Sequence, residues 1–232
     1  MFKQAYPSHK HIVIGSIFIL TLVFLMSFFG GNLFQFFGLI KISSTSMYLS
    51  RLLFWLSLCL ITLYAVKIEH QKLLLWEEKK YSVNFQIVAL VLLFLTVLAG
   101  VILIQTGFKI AGFNNKSTTL AKIVLLLKKD FILLLFTAIT AGVVEELIFR
   151  GYLQPRLQII FKNPHVSIFI TCALFGMMHY KYGTLINVIG PFFIGLVLAY
   201  FYWRYKNIKI AILFHFLWDF ILLIISTTST HR

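Results

Sequence analysis

The sequence predicts an all-α fold, a polytopic bundle of about seven to eight transmembrane helices, on three observations. Of its 232 residues, 60% are hydrophobic and 17% aromatic, with a mean hydropathy of +0.92. Only 12% are charged, about half the share of roughly a quarter found in soluble domains. Apolar runs long enough to cross about 30 Å of hydrocarbon then recur along the whole chain.

Taken in order, the first run covers 12–38. It continues well past the 7–15 residue core of a signal peptide and lacks a small-residue cleavage site, so it reads as a span. Runs at 47–66 and 84–106 follow. Between 107 and 130 the chain is first turn-like ("FNNKST", 113–118) and then suited to lying along a membrane surface. Asp130, beside Lys128 and Lys129, is expected to cap or anchor the next run. That run, 131–158, is long for one span and reads as a tilted helix or as two pieces. Runs at 166–180, 184–203 and 208–227 complete a set of seven. Within "GTLINVIGPFFIG" (183–195), Gly190, Pro191 and Gly195 would either bend a helix and open space beside His179 or let helices pack closely. No Pro/Gly/Ser-rich linker divides the chain, so one membrane domain is expected.

The formal net charge is +14. The lysines and arginines stand at the ends of apolar runs and form no basic stripe, which fits interfacial anchors facing a lipid bilayer and excludes nucleic acid as a partner. Cys59 and Cys172 fall inside apolar runs without metal or redox spacing and read as small buried hydrophobes. Aromatic clusters such as "FYWRY" (201–205) suit a lipid-facing interfacial belt.

The chemistry lies in what is polar inside the apolar runs. Of the seven acidic residues, Glu69, Glu77, Glu78 and Asp130 fall in hydrophilic connections and are expected to play no special part. Glu145, Glu146 and Asp219 are embedded, with Arg150, His179 and His215. An ionised carboxylate in an apolar medium costs several kcal/mol or more unless it is compensated. At about 100° per residue, Glu146 and Arg150 share a helix face and can pair. Glu145 points about 100° away and has no such partner. His215 and Asp219 share a face, and so do Phe175 and His179. Three helices can thus aim polar groups at one interior site, an arrangement suited to proton transfer and water activation. Hydrogen bonding that only fixes helix packing is the competing reading for each residue taken singly.

In chain order, "EELIFR" (145–150), "FGMMH" (175–179) and "HFLWD" (215–219) resemble the motifs of the CPBP family, which comprises CAAX prenyl proteases and bacteriocin-processing or self-immunity proteins and is also called the Abi family. Asp219 stands where the prenyl-protease members have Asn. The first 125 residues carry no motif. The resemblance divides the chain into N-terminal transmembrane helices, 1–125, and a catalytic core, 126–232. It implies an intramembrane endopeptidase of the bacterial plasma membrane acting on a peptide or membrane-protein substrate, for example in bacteriocin or pheromone processing or in self-immunity. Glu145 would activate water and His179 would help position it. His215 and Asp219 would stabilise the oxyanion, and Glu146, Arg150 and Phe175 would support them. Members are treated either as metalloproteases or as metal-free glutamate enzymes. A zinc ion on Glu145, His179 and His215 would make a known His₂Glu set, although no His-Glu-x-x-His helix occurs.

Two other functions compete. One is a non-catalytic bacteriocin immunity or membrane scaffold protein on the same fold. The other is a proton-coupled transporter, disfavoured because no internal repeat is found. An aspartyl dyad cannot form from one embedded Asp, and no Gly-x-Ser-x-Gly occurs. The sequence leaves the oligomeric state open.

Overall fold

A computed structural model describes residues 7–113 and 116–229. The described chain is helical in the order α1 (His9–Phe36), α2 (Ser44–Lys67), α3 (Val83–Ile110), α4 (Thr118–Lys129), α5 (Phe131–Thr140), two π-helical stretches (Ala141–Glu145 and Leu147–Leu153), α6 (Gln154–Phe161), α7 (Pro164–Met178), a 3₁₀ turn (Tyr180–Tyr182), α8 (Ile186–Tyr205) and α9 (Ile208–Ser229).

The helix starts follow from short polar residues placed just ahead of apolar runs. The side chains of Ser8, Ser43, Ser82, Ser117, Asp130 and Asn163 each accept a backbone N–H of the first turn. Asp130 therefore does cap α5, accepting from Leu133 N at 2.9 Å, and it also takes the Tyr48 hydroxyl of α2 at 3.1 Å. Lys162 and Lys206, both left-handed (φ 53° and 51°), end α6 and α8.

Among the described residues, six helical segments are long and apolar enough to cross a membrane: α1, α2, α3, the continuous 131–161 segment, α8 and α9. The protein is thus a multi-pass helical bundle, with six such segments where seven apolar runs were read. The run at 166–180 becomes α7, whose 15 residues reach about 22 Å at the α-helical rise. It is packed mainly against α8 and α6. The long fourth run is one unbroken helical segment whose middle is π-helical.

One apolar core joins α1, α2, the π-helical segment and α7, through Ile19, Val23, Phe54, Ile61, Ile148 and Phe175. A second joins α3, α8 and α9 through Val97, Leu198, Phe214 and Trp218. The outer faces carry Ile17, Phe29, Leu95, Leu103 and Phe169, all exposed to what would be lipid. Cys172 is buried as expected, but Cys59 is exposed on the outer face of α2.

Glu69 also departs from expectation. It is buried, and Arg156 of α6 binds it through Nη2 at 2.6 Å and Nε at 2.8 Å, while the Tyr152 hydroxyl donates to its other oxygen at 2.8 Å. The Arg156 guanidinium also donates to the carbonyls of Lys72 and Leu73 and lies 3.8 Å from the Tyr152 ring centroid. This cluster pins the connection after α2 beneath the π-helical segment. In the same region Glu78 accepts Ile208 N at 2.9 Å at the start of α9, and burial raises its carboxyl above the usual range.

Candidate active site

The two adjacent glutamates have different surroundings. Glu146 is fully enclosed: Arg150 Nη1 lies 3.0 Å and His215 Nδ1 2.8 Å from its Oε1. The expected Glu146–Arg150 pair is therefore present, and a second partner arrives from α9. Glu145 is also nearly buried, at 7% exposure, yet among the described residues no hydrogen bond or ion pair holds its carboxylate. It instead lines the walls of two cavities of about 380 and 700 Å³.

Local backbone form separates the pair. Residues 141–145 and 147–153 are π-helical, a form that closes i→i+5 rings and turns each residue less than the α-helical 100°. The α-helical geometry assumed from sequence therefore does not hold here, although the two carboxylates still diverge. Such stretches are uncommon and favour functional sites.

Close approach of α9 completes the arrangement. A Cβ on Gly142 would fall 2.7 Å from Phe216 Cβ and 2.8 Å from its backbone nitrogen, so only glycine lets α9 lie this near. Contact there sets the neighbouring His215 against Glu146. His215 Nε2 sits 3.7 Å from Asp219 Oδ2, one helical turn along. Arg150 is buried as well. Its Nη2 donates to Gly195 O of α8 at 3.2 Å, and its guanidinium lies 4.6 Å from the Phe175 ring centroid. Gly195 thus serves close packing, since a Cβ there would stand 3.1 Å from Arg150 Nη2. Gly190 and Pro191 instead line the larger cavity, together with His179.

Phe175 stands between the histidines, with ring centroids 5.1 Å from His179 and 5.9 Å from His215. His179 Nδ1 lies 2.9 Å from Phe175 O. A carbonyl oxygen can only accept, so Nδ1 carries the proton and Nε2 keeps its lone pair. His179 lines both cavities with Glu145, and Asp219 lines the larger one. His215 lines neither. The predicted residues therefore form two groups, one facing the cavities (Glu145, His179, Asp219) and one packed behind it (Glu146, Arg150, Phe175, His215).

A zinc ion on Glu145, His179 and His215 does not fit this arrangement. His215 lies off the walls of the two cavities that Glu145 and His179 share. Among the described residues no three His, Cys, Asp or Glu side chains gather in a ligating cluster.

Two residues with no embedded-motif signal also belong here. Arg51 of α2 and Tyr182 of the 3₁₀ turn line both cavities beside Glu145 and His179. A lone arginine near a span end reads as an interfacial anchor, so its inward position was not legible from the sequence.

Residues 127–221 match the family model described as type II CAAX prenyl endopeptidase Rce1-like. This segment carries a CPBP-family, Rce1-like domain. The Rce1-like segment contains all seven motif residues from Glu145 to Asp219, whereas α1 to α3, with Arg51, lie outside it. Neither the curated proteins nor the solved structures provide a match to the chain.

Proposed function

We propose that the protein is an intramembrane endopeptidase in which Glu145 is the general base that activates water. The observation that carries this reading is the contrast within the glutamate pair. Glu146 is consumed by Arg150 and His215, while Glu145 is buried, without a hydrogen-bond or ion-pair partner among the described residues, and faces both cavities. An unpaired carboxylate in a low-dielectric wall is suited to taking a proton from a water that attacks a carbonyl. The family matched by residues 127–221 is one of peptidases, which supports peptide hydrolysis as the reaction.

In this reading a peptide bond sits where the two cavities share Glu145 and His179. Glu145 removes a proton from water as the oxygen adds to the carbonyl carbon, then passes it to the leaving amine. His179, which lines both cavities and has Nδ1 engaged by Phe175 O, accepts a hydrogen bond from the water at Nε2 and orients it. The Arg51 guanidinium supplies positive charge on the same walls. Glu146, Arg150 and Phe175 hold His215 and the π-helical backbone in register. No step requires a metal. The substrate is a membrane-associated peptide or protein, and the setting is a bacterial plasma membrane, with bacteriocin or pheromone maturation or self-immunity as the physiological use.

Peptide profiling of cells tests this. Membrane and secreted peptides are compared by mass spectrometry among wild type, a deletion strain and Glu145→Gln. The expected result is that Glu145→Gln reproduces the deletion profile. A deletion phenotype that Glu145→Gln fully rescues would instead mean a non-catalytic immunity or scaffold protein.

A further inference from the structure

Water adding to a peptide carbonyl turns the carbonyl oxygen into an anion, and donors placed for that anion supply much of the rate in acyl transfer. Glu145 takes the water proton and His179 accepts from the water, so neither serves the oxyanion. His215 lies off the walls of both cavities, and its Nδ1 meets Glu146 at 2.8 Å. Asp219 lines the larger cavity, but an ionised carboxylate only accepts. The donor has to come from another residue.

Among the described residues, Met47, Arg51, Ile123, Glu145, His179 and Tyr182 line both cavities. Two of these have side-chain donors to offer, Arg51 and Tyr182. Arg51 directs Nε to Ser50 Oγ at 3.3 Å and lies 5.5 Å from the Phe54 ring centroid. A permanent cation also favours the ionised form of a neighbouring base and so weakens it, whereas a neutral phenol does not. The Tyr182 ring centroid lies 5.7 Å from that of His179, and no hydrogen bond among the described residues engages its hydroxyl. Burial holds the phenol above its usual range, so it keeps its proton. The backbone there is fixed from two sides. Tyr182 N donates to His179 O and Gly183 N to Tyr180 O, each at 3.0 Å, and Gly183 closes the turn at φ 82°. The Ser117 hydroxyl at the start of α4 donates to Tyr182 O. The 3₁₀ turn therefore holds Tyr182 at a set place three residues from His179.

We propose that Tyr182 is a catalytic residue whose hydroxyl donates a hydrogen bond to the oxyanion formed beside Glu145. This rests on the proteolytic reading and deepens it by naming the electrophilic partner of the base. As the water oxygen bonds to the carbonyl carbon, Glu145 takes the water proton and the carbonyl π pair moves onto oxygen. The Tyr182 O–H donates to that oxygen and keeps its own proton. The C–N bond then breaks, the oxygen pair re-forms the carbonyl, and protonated Glu145 passes its proton to the departing amine. The bond from Tyr182 is strongest when the charge is on oxygen, so it acts on kcat more than on KM.

The test uses the full chain in phosphatidylcholine nanodiscs. A pool of lipid-anchored randomised peptides is first screened with wild type, and one peptide that it cuts serves as substrate. A second peptide of the same sequence carries a phosphinate in place of the scissile amide, as a stable mimic of the tetrahedral anion. Wild type and Tyr182→Phe are compared in kcat, KM, phosphinate affinity and melting temperature. The expected result for Tyr182→Phe is a kcat lower by about a hundredfold or more, with KM and melting temperature close to wild type. Phosphinate affinity should fall in step with kcat/KM. A kcat within about threefold of wild type overturns the assignment. So does a loss carried by KM, which would make Tyr182 a ground-state contact, or a phosphinate affinity that does not change. All three of these outcomes leave the peptidase reading intact. Failure of wild type to cut any peptide of the pool overturns that reading, and the role of Tyr182 with it. Should Tyr182→Phe not fold, 3-fluorotyrosine at position 182 decides, read where its phenol is still protonated. As the more acidic donor it should raise kcat by about twofold, and an unchanged kcat overturns the assignment.

Discussion

Two neighbouring glutamates divide into a reacting group and a supporting one because of what each side chain touches. Glu146 bears two partners, the Arg150 guanidinium and the His215 ring, on one oxygen. Neutralising it leaves Arg150 buried without its counter-ion, and breaking such a pair costs about 3–5 kcal/mol. Glu146→Gln is therefore expected to lower the melting temperature in detergent strongly, read by tryptophan fluorescence. Gly142 gives a second prediction at this scale. Its absent Cβ would overlap Phe216, so Gly142→Ala should destabilise by about 1–3 kcal/mol through overpacking. It should also reduce activity, because His215 moves with α9. The Glu146–Arg150 and His215–Asp219 spacings were legible in sequence, since i,i+4 contacts follow from helix geometry alone. The His215–Glu146 contact, 69 residues apart, was not, because no local rule fixes the packing of α9 on the π-helical turn.

The central element is the 131–161 segment, which changes hydrogen-bond ring size at the functional residues and resumes α-helix at Gln154. Its lower end is tied by Arg156 to Glu69, from a connection 87 residues earlier. A carboxylate in a polar connection reads as solvated, and only the long-range pairing makes Glu69 buried. Sequence patterning carries no such information. Glu69→Gln should destabilise by about 3–5 kcal/mol. Replacing both partners, as Glu69→Met/Arg156→Met, should cost much less than the single change, since no buried charge is left alone. Thermal unfolding of the three proteins checks this. The N-cap residues, by contrast, were visible in sequence wherever a short polar side chain preceded an apolar run.

For the molecule as a whole, apolar patterning revealed the multi-pass bundle; among the described residues six segments are long and apolar enough to cross a membrane where seven runs were read, because α7 has only 15 residues. Patterning also could not tell inner faces from lipid-facing ones, as the two cysteines illustrate. A lipophilic maleimide should label Cys59 in the folded protein and reach Cys172 only after unfolding, by mass spectrometry. The cavities draw on α1 to α4 as well as on the family-matched segment, so the N-terminal helices shape the site although they carry no motif. The central claim is the split between a reacting Glu145 and a supporting Glu146. Its most direct test measures peptide cleavage and melting temperature together on purified Glu145→Gln and Glu146→Gln. The account predicts that Glu145→Gln melts like wild type and loses cleavage by about a hundredfold or more, whereas Glu146→Gln melts well below it. Near-wild-type cleavage by a folded Glu145→Gln would contradict the account.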